Sequence, residues 1–320
     1  MPHIEKRAVC GLIRMSRSLL AGIAGICAIL IPSVAWSAAD SCTVAAQTHA
    51  FGAYNTTNPT STTSSITVSC TTDSSPKTIS YTVKLSSGPG SYATRQMTGA
   101  GDTLTYNLYT TAAHTTIWGD ATAGTSSLSG SVTIPNNSNS ASKIETVYGL
   151  IGAPQNVTPG AYSTATPITV TVSGAFTTTT TTFNANASVA AQCNVSAANL
   201  SFGTVNPVSS QVDATTALTV NCTKNTPYTV GLDAGTTTGA TIAQRKMANG
   251  ADIMNYNLYT NIARTTIWGN SAIAPSWVSG TGGGLGVAQT LTVYGRVASG
   301  QTNLAVGNYQ ENTITVTVTY

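Results

Sequence analysis

Short runs of alternating apolar and polar residues recur along the chain, among them "SITVSC", "ISYTVKL", "TLTYNLYT", "ETVYGLI" and "ITVTV". Side chains of a strand point to its two faces in turn, so this period marks strands with one buried face. Their richness in Thr, Val, Ile and Tyr fits the same reading. Clusters of Gly, Pro, Asn and Ser such as "SSGPGS", "PNNSNSAS" and "GAPQNVTPG" separate them and read as turns. Beyond Asp40 no stretch offers a helical face of about ten or more residues. The pattern predicts an all-β protein.

The pattern is also written twice. "YNLYTTAAHTTIWGD" (residues 106–120) returns as "YNLYTNIARTTIWGN" (residues 256–270), "SITVSC" as "ALTVNC", "YTVKLSSG" as "YTVGLDAG" and "TVYGLI" as "TVYGRV". "TPITVTVSG" returns at the end as "NTITVTVTY". A period this long means two whole domains, since solenoid units are several times shorter. In "TLTYNLYT" Leu104, Tyr106 and Leu108 share one strand face and are expected in a core, as are Met254, Tyr256 and Leu258 in the second copy. Trp118 and Trp268, beside Ile117 and Ile267, are expected to plug the two cores. Short strands at this spacing suggest Greek-key sandwiches of immunoglobulin type.

Residues 1–39 stand apart. Lys6, Arg7, Arg14 and Arg17 precede the apolar run "SLLAGIAGICAILIPSVA", and small residues follow, with cleavage expected after Ser37 or Ala39. This is the layout of a secretory signal peptide. It changes the reading of charge: four of the 13 basic residues and one of the 10 acidic ones lie in it, leaving nine of each. A nucleic-acid-binding surface needs clustered Lys and Arg, and none remains. It changes the cysteines too, because Cys10 and Cys27 leave with it. Cys42, Cys70, Cys193 and Cys222 remain, one pair in each half. In an oxidising compartment they read as one disulfide per domain, Cys42–Cys70 and Cys193–Cys222.

Catalytic chemistry finds little support. His49 and His114 are the imidazoles beyond the leader, and the counterpart of His114 is Arg264. Asp102 and Asp120 are near His114 in sequence, and Asp102 has the counterpart Asp252; both read as turn residues. "GTGGGLG" (residues 280–286) carries no Lys and opens no helix, so it is no phosphate loop. No metal-ligand spacing occurs, and no enzyme activity, cofactor or nucleic acid is expected.

Taken together, C-x-V…FG-x-Y…S-I-T-V-x-C…Y-T-V-x-L-x-x-G…R-x-M…L-x-Y-N-L-Y-T…T-x-W-G-D…V-Y-G…P-G-x-Y…I-T-V-T-V resembles the spore coat protein U domain family, over both halves of the chain. The resemblance implies secreted subunits of archaic, Csu-type chaperone–usher pili. Their immunoglobulin-like fold is incomplete and is finished by a strand from a neighbour. The expected architecture is therefore two tandem immunoglobulin-like Greek-key sandwiches, the C-terminal one lacking its last strand. They are residues 40–174 and 193–320, with a linker over 175–192. In the linker Phe183, Ala185, Ala187 and Val189 alternate with Asn184, Asn186 and Ser188, which resembles a donor strand built in for the first domain. The edge formed by Ile314, Val316, Val318 and Tyr320 is expected to accept a strand from outside.

The resemblance implies as partners a periplasmic chaperone, an outer-membrane usher and the next subunit. Only a few residues separate the cleavage site from Cys42, too few for a donor strand, so the expected place is the pilus tip, outside the cell. There the chain would mediate surface attachment and biofilm formation on an abiotic or host surface of hydrophobic character. Adhesive residues are expected in loops where the copies differ, residues 86–92, 121–128 and 152–162, which offer Pro89, Tyr92, Leu128, Ala153, Pro154, Val157 and Pro159. If the linker runs antiparallel to the strand before it, the second domain instead reaches this pole and leaves residues 71–77 and 135–142 free. A non-adhesive fibre or coat subunit and a soluble carbohydrate-binding module are the other classes that fit.

Overall fold

The computed structural model describes residues 40–206, 209–273 and 275–320; the expected signal peptide lies outside the described residues. The first domain contains β1 (Ser41–Ala46), β2 (His49–Tyr54), β3 (Thr60–Thr71), β4 (Lys77–Leu85), β5 (Arg95–Gly99) and β6 (Asp102–Tyr109). It continues with β7 (Leu128–Ile134), β8 (Ser140–Ile151), β9 (Gly160–Ser163), β10 (Ile168–Gly174), β11 (Thr179–Phe183) and β12 (Ala185–Val189). One sheet has the order β1-β3-β8-β6-β5-β9-β12-β2, the other β11-β10-β4-β7. The inward side chains of both form one core, in which Ile66, Val68, Val83, Leu104, Leu108, Trp118 and Val170 are fully buried. The Cys42–Cys70 disulfide ties the start of β1 to the end of β3, directly opposite each other in the ladder.

The second domain repeats this plan with fewer strands. β13 (Cys193–Ala197), β14 (Val212–Cys222), β15 (Pro227–Leu232), β16 (Arg245–Asn249) and β17 (Asp252–Tyr259) are followed by β18 (Val278–Thr281), β19 (Gln289–Val297) and β20 (Val316–Thr319). The sheets are β13-β14-β19-β17-β16 and β18-β15-β20. Cys193 and Cys222 are bonded as the first pair is. Leu218, Val220, Val230, Leu258, Trp268 and Val297 form its core.

Strand direction fixes which loops share an end. The β3–β8 ladder runs from Thr60 opposite Ile151 to Thr71 opposite Ser140. Residues 71–77 and 135–142 therefore form one pole of the first domain. The loop after Ile151 and the β5–β6 turn at Asp102 lie toward the other.

Candidate functional site

The two domains differ most where "ITVTV" ends. In the first, β11 turns back along β10, with Phe183 opposite Ile168 and Thr179 opposite Val172. The chain then crosses to the other sheet at Asn184. There β12 enters between β9, antiparallel to it, and β2, parallel to it. Phe183, Ala185, Ala187 and Val189 are all buried in the core, Phe183 and Val189 contributing roughly 1.5–3 kcal/mol each. In the second domain, among the described residues, no strand pairs with the free side of β20. Ile314, Val316 and Val318 are half-buried, whereas their counterparts Ile168, Val170 and Val172 are fully buried; Tyr320 is exposed. The counterparts of β2 and β9, around residues 200–205 and 307–310, carry the same sequence features but form no strand. Among the described residues, no strand lies there to pair with both.

The repeated "YNLYT…TTIWG" stretch also builds a feature that the sequence alone did not reveal. Arg95 and Arg245 are completely buried. Arg95 donates to Asn107 Oδ1 and to the carbonyls of Ser86 and Trp118. Arg245 donates to Asn257 Oδ1 and to the carbonyls of Leu232, Asp233 and Trp268. Trp118 and Trp268 are buried as expected and donate their indole N–H to Val83 and Val230. Burial pulls both guanidinium groups down to about 10, still charged at neutral pH. The Arg-x-Met and Tyr-Asn-Leu pairs of the two copies were the available signal.

A polar joint connects the domains. Asp102 Oδ1 meets Lys224 Nζ at 2.6 Å, and Asp102 Oδ2 accepts from the backbone N–H and hydroxyl of Thr158. The hydrogen bond from Lys224, then those from Thr158, hold the Asp102 carboxyl down at about 2. Asn225 Nδ2 donates to Thr158 Oγ1, and Asn156 Nδ2 donates to the carbonyl of Gly283. The glycine-rich "GTGGGLG" lies against the first domain here. Gly284 has φ +123°, and a Cβ on it would fall 2.2 Å from Asn156 Oδ1.

This joint corrects the expectation that loops 86–92, 121–128 and 152–162 form a free apolar pole. The last of them faces the second domain, because the built-in strand runs toward it. Val157 is core, Pro89, Tyr92, Leu128, Ala153 and Pro159 are half-buried, and Pro154 alone of the seven is exposed. Tyr92 donates its hydroxyl to the Leu85 carbonyl. Among the described residues, the pole away from the second domain consists of residues 71–77 and 135–142, where Ser, Thr and Asn predominate and Lys77 is paired with Asp40.

Asp120, His114 and His49 have structural partners. Asp120 accepts from the N–H and hydroxyl of Thr122, and His114 stacks edge-on against Tyr109 at 5.1 Å. His49 is buried on β2, with Ser64 Oγ 2.7 Å from its Nδ1 and Nε2 without a partner. Burial holds it down at about 4. It lies over Gly149, where a Cβ would stand 1.9 Å from Nε2; Leu200 lies over Gly295 in the same way. Among the described residues no group of three or more His, Cys, Asp or Glu could hold a metal ion.

Comparison with known proteins agrees with this geometry. The sequence pattern of the Spore Coat Protein U domain matches residues 30–171 and again residues 179–319. Protein U of Myxococcus xanthus is 32% identical over 152 residues, covering 42% of this chain and 80% of that protein. Among solved structures, a chain of the CsuC–CsuE chaperone–tip adhesion subunit pre-assembly complex from archaic chaperone-usher Csu pili of Acinetobacter baumannii superposes with a TM-score of 0.55. It is 17% identical, and the match covers 88% of this chain and 100% of that one. The CupB6 tip adhesin from Pseudomonas aeruginosa is 11% identical with a TM-score of 0.38, over 85% of this chain and 91% of that one; the first likeness shows the fold, and the second is too slight to argue from.

Proposed function

Because the chain belongs to the Spore Coat Protein U domain family, we propose that it is a secreted, non-enzymatic subunit of a chaperone–usher pilus. It sits at the tip and attaches the cell to surfaces, as in biofilm formation. The observation that carries this reading is the contrast between a first sandwich filled from within and a second one open along β20. A filled domain needs no neighbour, which suits a terminal position. An open one exposes unpaired backbone and apolar side chains, which a strand from a periplasmic chaperone and then from the next subunit would cover. The family pattern adds support: its second match begins at residue 179, so the segment packed into the first domain belongs by sequence to the second.

Adhesion is assigned to the free pole, residues 71–77 and 135–142. Its hydroxyl and amide side chains favour a hydrated, hydrogen-bonding surface over the hydrophobic one that the family resemblance implies. The strand reading is tested by appending a copy of residues 175–189 after Tyr320. The second domain of the extended chain should melt markedly higher than that of the natural one, and equal melting would overturn the reading. Adhesion is tested on piliated cells carrying Asn136→Asp with Asn139→Asp, or Pro154→Ser. Attachment should fall with the first pair and hold with the second; the reverse would return adhesion to the junction side.

A further inference from the structure

Part of the framework with which the first domain grips the second is repeated at the far end of the second domain. Asp252 opens β17 as Asp102 opens β6. Gln301 Nε2 donates to the carbonyls of Asn255 and Ala298, and Gln301 Oε1 accepts from Asn255 N–H. Gln155 makes the same bonds with Thr105 and Gly152. Tyr309 donates to the carbonyl of Ala305 as Tyr162 does to that of Thr158. Between these fixed points Asn303 takes the place of Asn156, and Val306 that of Pro159. In the first domain, Asp102 and Asn156 hold the turn at Lys224 and Asn225 and the glycine-rich loop of the following domain. In the second, Asp252 has no ion-pair partner among the described residues, Asn303 is exposed and Val306 is fully exposed.

We infer that Asp252, Asn303 and Val306 form a second joint, which receives the domain that delivers the strand to β20. This rests on the reading of β20 as an acceptor and adds what the donor must bring with it. The partner presents a Lys or Arg at the position that Lys224 holds in this chain's second domain. A glycine-rich loop lies beside the turn, with a carbonyl for Asn303 as Gly283 has one for Asn156. Asp252 lacks the hydroxyl clamp that Thr158 gives Asp102, because Ala305 stands there, so it depends on the incoming cation alone. The first domain of a second copy of this chain does not fit. By the register of the disulfide ladders Thr72 stands there where Lys224 stands here, so that domain offers no cation, and Asp73 follows it.

The test extends the chain at Tyr320 with a copy of residues 175–320 and then a copy of 175–189, so that every sandwich has its strand. Hydrogen exchange should slow by about tenfold at 302–306 and at the Asp252 turn, the effect of one charge-assisted contact. Asp252→Lys should remove that protection while β20 stays protected, and Lys224→Asp in the appended copy should restore it. A protected β20 with fast exchange at 302–306, or protection indifferent to Asp252→Lys, would overturn the joint. An unprotected β20 would overturn the acceptor reading, and the joint with it.

Discussion

"ITVTV" occurs twice in this chain with two different fates. As β10 it buries Ile168, Val170 and Val172 completely; as the approach to β20 it leaves Ile314, Val316 and Val318 half-buried. The residues are the same, so the difference lies in the neighbours. β11 and β12 cover one copy, and among the described residues no strand pairs along the free side of the other. Burial, and the stability that comes with it, is here a property of strand pairing more than of the strand's own sequence.

Substitution of the matched isoleucines puts this contrast to measurement. Ile168→Ala should cost about 2–5 kcal/mol in denaturant unfolding of the first domain, the range for a buried isoleucine. Ile314→Ala should cost clearly less in the second. With residues 175–189 appended after Tyr320 the two costs should converge. Equal costs without the appended strand would show that β20 is covered already.

A smaller effect separates His49 from Leu200, which occupy the same place over a glycine. Held at about 4 when folded against an ordinary 6.5, His49 resists a proton that the unfolded chain accepts. The first domain should therefore lose stability as pH falls from about 6.5 to about 4, by up to about 3 kcal/mol. His49→Leu should flatten that part of the profile. An unchanged slope in urea titrations across this range would assign the acid sensitivity elsewhere.

Much of the fold was legible in the sequence. Alternation located the strands, the repeat counted the domains, and cysteine spacing paired the disulfides, because each is a local or self-comparing signal. The alternation of Phe183, Ala185, Ala187 and Val189 marked inward faces. It could not show that the chain changes sheets at Asn184, since period two gives a face and not a partner. Val157 read as a loop residue because a lone apolar side chain among Pro, Thr and Gly carries no period. The Arg95 and Arg245 networks were hidden for a related reason: a charged residue is expected outside unless its partners, here mostly backbone carbonyls, are known. The joint between Asp102 and Lys224 connects residues far apart in sequence, and nothing local announces it.

The position of β12 has a mechanical consequence. Its last residue, Val189, leads within a few positions to Cys193 and the second domain, so a pull from that side is delivered along the strand's own axis. The hydrogen bonds to β9 and β2 lie across that axis on both flanks. Loaded in this direction they share the force and yield together, whereas a strand peeled from its end gives way one bond at a time. A tether anchored in this way resists tension through geometry, with no bond stronger than an ordinary backbone one.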